Sequence, residues 1–150
     1  MEHMFDQILE KDEIIIKVIN PNKRRYNLDA YGLFIMPFMW PNFLVLLVGT
    51  LFTFPIFISK EYKNTYYAYT NKRLIVRKGV FANSYKSLEY KDITSTEVEV
   101  GFWDKKTNTG TLTFVNPSSH HEHPMKFVGV ENPYDVMRDI KEQINLANEK

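Results

Sequence analysis

Residues 30–59, AYGLFIMPFMWPNFLVLLVGTLFTFPIFIS, contain no charged side chain, and this stretch limits the possible folds more than any other feature. About 20 apolar residues span a bilayer core as a helix, so its length predicts a membrane segment. Gly32, Pro37, Pro41-Asn42, Gly49 and Pro55 interrupt it, and a proline removes a helical hydrogen bond that lipid cannot replace. Pro41-Asn42 is a turn centre, dividing the stretch into arms at 28–39 and 43–58. Lys23, Arg24 and Arg25 precede it and Lys60 and Lys63 follow it. Basic residues at both ends favour a hairpin with both ends on the cytoplasmic side. The anchor side chains are then Phe34, Trp40, Phe43, Leu44, Leu46, Leu47, Leu51 and Phe54, while Tyr26, Tyr31, Tyr62, Tyr66, Tyr67 and Trp40 suit the interface, Tyr66 and Tyr67 equally fitting a strand. A single crossing, an interfacial segment and the core of a soluble domain stay open as alternatives.

The division that follows is an N-terminal flank (1–29), the apolar segment (30–59) and a β-rich domain (60–150). In the flank, Met4, Phe5, Ile8 and Leu9 recur at helical spacing, and 13–19 reads as a strand ended by Asn20-Pro21. A secretory signal is not expected, because the apolar run begins behind Glu10, Asp12 and Glu13. Beyond residue 60 the pattern changes to period two, predicting strands at 66–70, 74–77, 85–90, 95–100, 111–115 and 125–130. A single helix closes the chain, with Asn132 as N-cap, Pro133 in its first position and Asp135 in its first turn. Val136, Met137, Ile140, Ile144 and Ala147 form its apolar stripe.

Composition narrows the function. The chain has no cysteine and a formal net charge of +1. Disulfide frameworks, cysteine-based metal sites and thiol nucleophiles are excluded, and nothing pulls the chain as a whole toward nucleic acid. No phosphate-cradling glycine loop, paired acid and base or Ser/His/Asp grouping is recognisable. The expectation is a non-enzymatic protein with no cofactor and no evident small-molecule substrate.

The segments YAYTNKRLIVRKGVFANSYKSLEYKDI, GFWDKKTNTGTLTF and FVGVENPYDVMRDIKEQI, behind a basic-flanked apolar stretch, resemble bacterial pleckstrin-homology (PH)-like domain proteins with a membrane anchor. The resemblance rests on Thr70, Arg73 and Gly79, on Gly110-Thr111, and on Phe127-Val128-Gly129 followed by Asn132-Pro133. It implies a split β-barrel of about seven strands closed by the C-terminal helix and held at the membrane by the apolar segment. It brings no catalytic residue, because these motifs occupy turns and caps.

Three groups are candidate sites. Lys72, Arg73, Arg77 and Lys78 on the first hairpin, with Lys86 opposite, could meet an anionic lipid headgroup or a partner. Their alternative is a solvated face, with Arg73 paired to Glu89 or Glu97. His120, His121 and His123 invite a metal reading, but without cysteine and with only Glu122 nearby the expectation is no metal site. Phe102 and Trp103 are expected in the core, the alternative being a membrane-dipping or partner-binding tip. The leading expectation is a PH-like module at the cytoplasmic face of the cell membrane that binds a protein, a peptide or a lipid headgroup. A self-assembling membrane scaffold is the alternative, and a metal-binding protein or enzyme using the histidine cluster ranks behind both.

Overall fold

The computed structural model describes residues 4–23, 63–79, 82–116 and 124–149. Seven strands run in the order β1 (Ile15–Ile19), β2 (Tyr66–Thr70), β3 (Arg73–Lys78), β4 (Ser84–Glu89), β5 (Ser95–Glu99), β6 (Thr109–Val115) and β7 (Met125–Glu131). A six-residue helix, α1 (Phe102–Thr107), stands between β5 and β6, and α2 (Pro133–Asn148) ends the fold. The strands form two antiparallel sheets, β1-β2-β3-β4 and β5-β6-β7. The expected barrel is therefore corrected to two separate sheets. The 3-10 turn Tyr90–Asp92 carries the chain from the first sheet to the second without a ladder between β4 and β5.

The inner strands β2, β3 and β6 carry most of the buried side chains of the two sheets. In β3, Leu74 and Val76 enter the main core while Ile75 enters a smaller cluster on the opposite face, as a central strand covered on both sides requires. The main core joins Tyr67, Leu112, Phe114, Phe127 and Val130 to Val136, Met137 and Ile140 of α2. Tyr67 stacks on Phe127 at 4.6 Å between ring centroids, and Phe114 meets Phe127 edge-on at 5.2 Å. Tyr69 ties β2 to α2: burial first, then the charge of Asp139 and a hydrogen bond to it, push its phenol up to about 12.

Two expectations about chain ends change. Asn132 precedes α2 as predicted, but with φ 48° it is left-handed and makes no side-chain cap; its Oδ1 accepts from Asn108 Nδ2 at 2.6 Å instead. Gly110 is needed for a different reason from a turn, since a Cβ there would lie 2.8 Å from Pro133 Cγ. The glycine of β6 and the proline of α2 are thus one contact.

The N-terminal flank is part of the fold. β1 pairs with β2 across the apolar stretch, with Ile19 opposite Tyr67. Phe5 is fully buried in the smaller cluster with Ala68 and Ile75, on the face of the first sheet turned away from the main core. The segment around Phe5 forms one turn, closed by the Ile8 and Leu9 amides on the Phe5 carbonyl.

Residues 30–59 lie outside the described residues, as do the anchor side chains named above. Among the described residues no helix is long and apolar enough to cross a membrane.

Candidate functional site

The basic residues of the first hairpin separate toward the two ends of one sheet. β3 carries Arg73 at its start and Lys78 at its end, a span of roughly 17 Å at the usual rise of a strand.

At the Arg73 end, Arg73 and Lys72 both find partners in the flank. Arg73 donates from Nε to Glu13 Oε1 at 3.0 Å and from Nη2 to Glu13 Oε2 at 2.9 Å, and to the Ile8 carbonyl at 2.7 Å. Glu10 adds a second carboxylate at 3.4 Å. Arg73 thus makes its ion pairs with Glu13 and Glu10 rather than with Glu89 or Glu97. The Glu13 side chain is fully buried and also accepts from the Thr70 hydroxyl at 2.9 Å. Burial alone would raise its pKa. The hydrogen bonds from Arg73, the Glu10 amide and Thr70, with the Arg73 charge, outweigh burial and hold the carboxyl below its ordinary range. Thr70 is the hub of the turn, since its hydroxyl also accepts the amides of Lys72 and Arg73 at 3.1 and 3.0 Å. Lys72 reaches the Lys11 carbonyl at 2.9 Å and Glu10 at 3.6 Å. Thr70 and Arg73 therefore clamp the flank onto the sheet.

Arg77 also serves the flank. Its guanidinium lies 5.6 Å from the Tyr66 ring centroid and 6.0 Å from that of Tyr85, and bonds Met4 Sδ and Asn83 Oδ1, each at 3.0 Å.

The other end of the sheet is different. Register sets Lys86 opposite Val76 and Leu88 opposite Leu74, so Ser84, Lys86 and Leu88 share the core-facing side of β4. Leu88 is buried, but Ser84 and Lys86 run past the edge of the core into solvent. Here Lys78, Lys86 and Lys126 line a cavity of about 420 Å³, with Ser84 and Ser87 beside them and Val76, Phe114 and Met125 as apolar wall. Among the described residues none of the three lysines has an ion-pair partner. A pocket with clustered cations, hydroxyls and an apolar wall is equipped for a small anionic group carrying some hydrocarbon. Lys126 escaped the sequence reading because it lies far along the chain and arrives through β7. Gly79 makes the β3–β4 turn possible, since a Cβ there would collide with the Ala82 carbonyl.

β7 follows this same end from one side to the other. Met125 and Lys126 border the lysine cavity, the Val128 amide donates to Tyr67 Oη at 3.1 Å, and the Gly129 carbonyl accepts the Asn22 amide at 2.7 Å. Beyond Asn22 a wide groove of about 1000 Å³ opens, lined by Lys17, Lys23 and Lys106 and by Glu131 and Asp135. Asn22 Nδ2 bonds Glu131 Oε1 at 2.7 Å.

Phe102 and Trp103 stand on α1 and are 68% and 44% exposed, so the expectation of core packing is corrected. His120, His121 and His123 lie outside the described residues. Among the described residues no three His, Cys, Asp or Glu side chains gather as a metal site would.

Two sheets, a closing helix and a ligand-sized cavity at one sheet end define a β-rich binding module. The family model described as "Bacterial PH domain" matches residues 27–144, most of the chain, and the chain belongs to that family. Among solved structures, a protein with a pleckstrin-homology domain from Shewanella loihica PV-4 is similar at 18% identity and TM-score 0.48, covering 97% of this chain and 91% of that one. A pleckstrin-homology domain from Shewanella amazonensis SB2B is similar at 18% identity and TM-score 0.47, covering 97% and 94%. No curated protein matches the chain.

Proposed function

We propose that this protein is a non-catalytic, membrane-anchored PH-like module that binds an anionic, phosphate-bearing headgroup in the Lys78–Lys86–Lys126 cavity at the cytoplasmic face. One observation carries the reading: the lysine cavity and the root of the apolar stretch lie at the same end of one sheet. Ile19 and Tyr67 are register partners, so the chain leaves the sheet and returns to it side by side. A membrane segment with its ends tied in this way leaves and re-enters on one side, which supports the hairpin reading over a single crossing. The β3–β4 turn lies at that end too, because β1 and β3 run in the same direction within the antiparallel sheet. The anchor then supplies membrane affinity and the cavity supplies selectivity.

Met125 gives the test a reporter, since its side chain lines the cavity. Full-length protein with labelled methionine methyl groups, held in phosphatidylcholine nanodiscs, is titrated with glycerol 1-phosphate. The Met125 resonance is expected to move, and Lys78→Glu with Lys86→Glu to raise the concentration needed for the movement roughly thirty-fold. A Met125 resonance that stays fixed refutes the cavity as a headgroup site.

A second reading, self-assembly, draws on β1, an edge strand next to exposed Ile14 (67%) and carrying exposed Ile16 (44%). Edge strands of this kind template pairing with another chain. A nanodisc-held protein of dimeric mass that becomes monomeric on Ile16→Lys would favour it.

A further inference from the structure

We infer that α1 is a second membrane contact, an aromatic and basic tip that enters the lipid interface beside the root of the apolar stretch. This rests on the membrane reading above and adds a surface that the lysine cavity does not include.

The polarity of α1 is inverted. The residue it buries is Asp104, 4% exposed, while Phe102 and Trp103 face solvent. A short surface helix ordinarily turns its apolar side inward. Here the inner side is held by polar contacts: Asp104 Oδ2 accepts the Gly101 amide at 3.0 Å and Oδ1 accepts the Thr109 hydroxyl at 3.0 Å. Asn108 ends the helix in the left-handed region, φ 51°, and bonds Asn132. These contacts fix α1 without any help from its aromatic rings, which are left outside.

The rings form one unit. Phe102 and Trp103 meet edge-on at 5.2 Å, and the Lys106 ammonium lies 4.9 Å from one centroid and 5.0 Å from the other. Lys105 is exposed beside them. Aromatic rings with lysines that can reach headgroups are the composition of a membrane interface, and lysines near an anionic surface add electrostatic attraction to it. Position selects the lipid surface over a protein partner. Lys106 lines the same groove as Ile19, the end of β1, and Lys23, the last described residue before the apolar stretch, so a membrane holding that stretch lies within reach of the tip.

The test uses the full chain with Trp40→Phe, which leaves Trp103 as the sole one of two tryptophans. It is reconstituted into vesicles of phosphatidylcholine and phosphatidylglycerol, with phosphatidylcholine brominated near the top of its acyl chains in one set. Trp103 emission is expected to lie to the blue of a hydrated indole and to lose most of its intensity in the brominated set. Lys105→Glu with Lys106→Glu should restore most of it. Unquenched, red emission from protein that floats with the vesicles overturns the tip contact and leaves the anchor standing. Protein that does not float overturns both.

Discussion

The two ends of the first sheet draw on the same basic run and use it in opposite ways. At one end Arg73 and Lys72 are held by Glu13, Glu10 and backbone carbonyls of the flank. At the other, Lys78 and Lys86 meet Lys126 around an open cavity. The difference teaches that neighbouring cations in a sequence are not one site: a strand of six residues carries them to opposite ends and opposite faces, so that Arg77, next to Lys78, turns to the flank while Lys78 turns to the cavity. Arg can make a planar, two-point bond to a carboxylate, so it is suited to the buried clamp. Lys keeps a hydrated point charge on a flexible stem, so it is suited to an exposed rim.

The comparison breaks most visibly at Arg73. Arg73→Leu leaves the Glu13 carboxylate buried without its partner and should cost about 3–5 kcal/mol in chemical unfolding. The folded fraction should still show the Met125 shift with glycerol 1-phosphate. Loss of that shift in protein that is still folded would show that the two ends act as one. Next in size is Lys78→Glu with Lys86→Glu. Unfolding free energy should stay within about 0.5 kcal/mol, while affinity for anionic headgroups falls by about 2 kcal/mol, roughly thirty-fold. Tyr67→Phe is smaller. It removes the acceptor of the Val128 amide between the sheets and should cost about 1 kcal/mol of stability, read by thermal unfolding.

Acid sharpens the same contrast. The folded Glu13 carboxyl titrates below its unfolded value, so its contribution is fully present above the ordinary carboxylate range. It is lost as pH falls through the lowered folded value. Stability measured against pH should show this acid limb in the natural sequence and a weaker one in Arg73→Leu, whereas Lys78→Glu with Lys86→Glu should leave it in place.

How much of this was legible before the structure depends on distance along the chain. Period-two runs and their turn residues placed every strand within a few positions, and the 132–147 stripe placed α2, because these signals are local. Pairing across the apolar stretch is not local. The composition change near residue 60 reads as a boundary, yet β1 lies upstream of it and hydrogen-bonds to β2 downstream. Glu13 was invisible as the partner of Arg73 for the same reason, being 60 positions away. α1 was missed because FWDKKT mixes aromatic and charged residues without a stripe, and large aromatics argue for burial until the polar anchorage of Asp104 is seen. Lys78 and Lys86 could be named from the hairpin. Lys126 could not, since only the arrival of β7 at that sheet end adds it.

Orientation at the membrane tests the central claim most directly, and a chain without cysteine allows a label at one chosen site. Full-length protein labelled at Lys86→Cys, at the cavity end, and separately at Lys91→Cys, just past the opposite end of β4, is reconstituted into vesicles whose headgroups carry a fluorescent acceptor. Strong energy transfer from position 86 and weak transfer from position 91 is the predicted result. Equal transfer from both, or stronger transfer from 91, would contradict the assignment of the lysine cavity to the membrane-facing end.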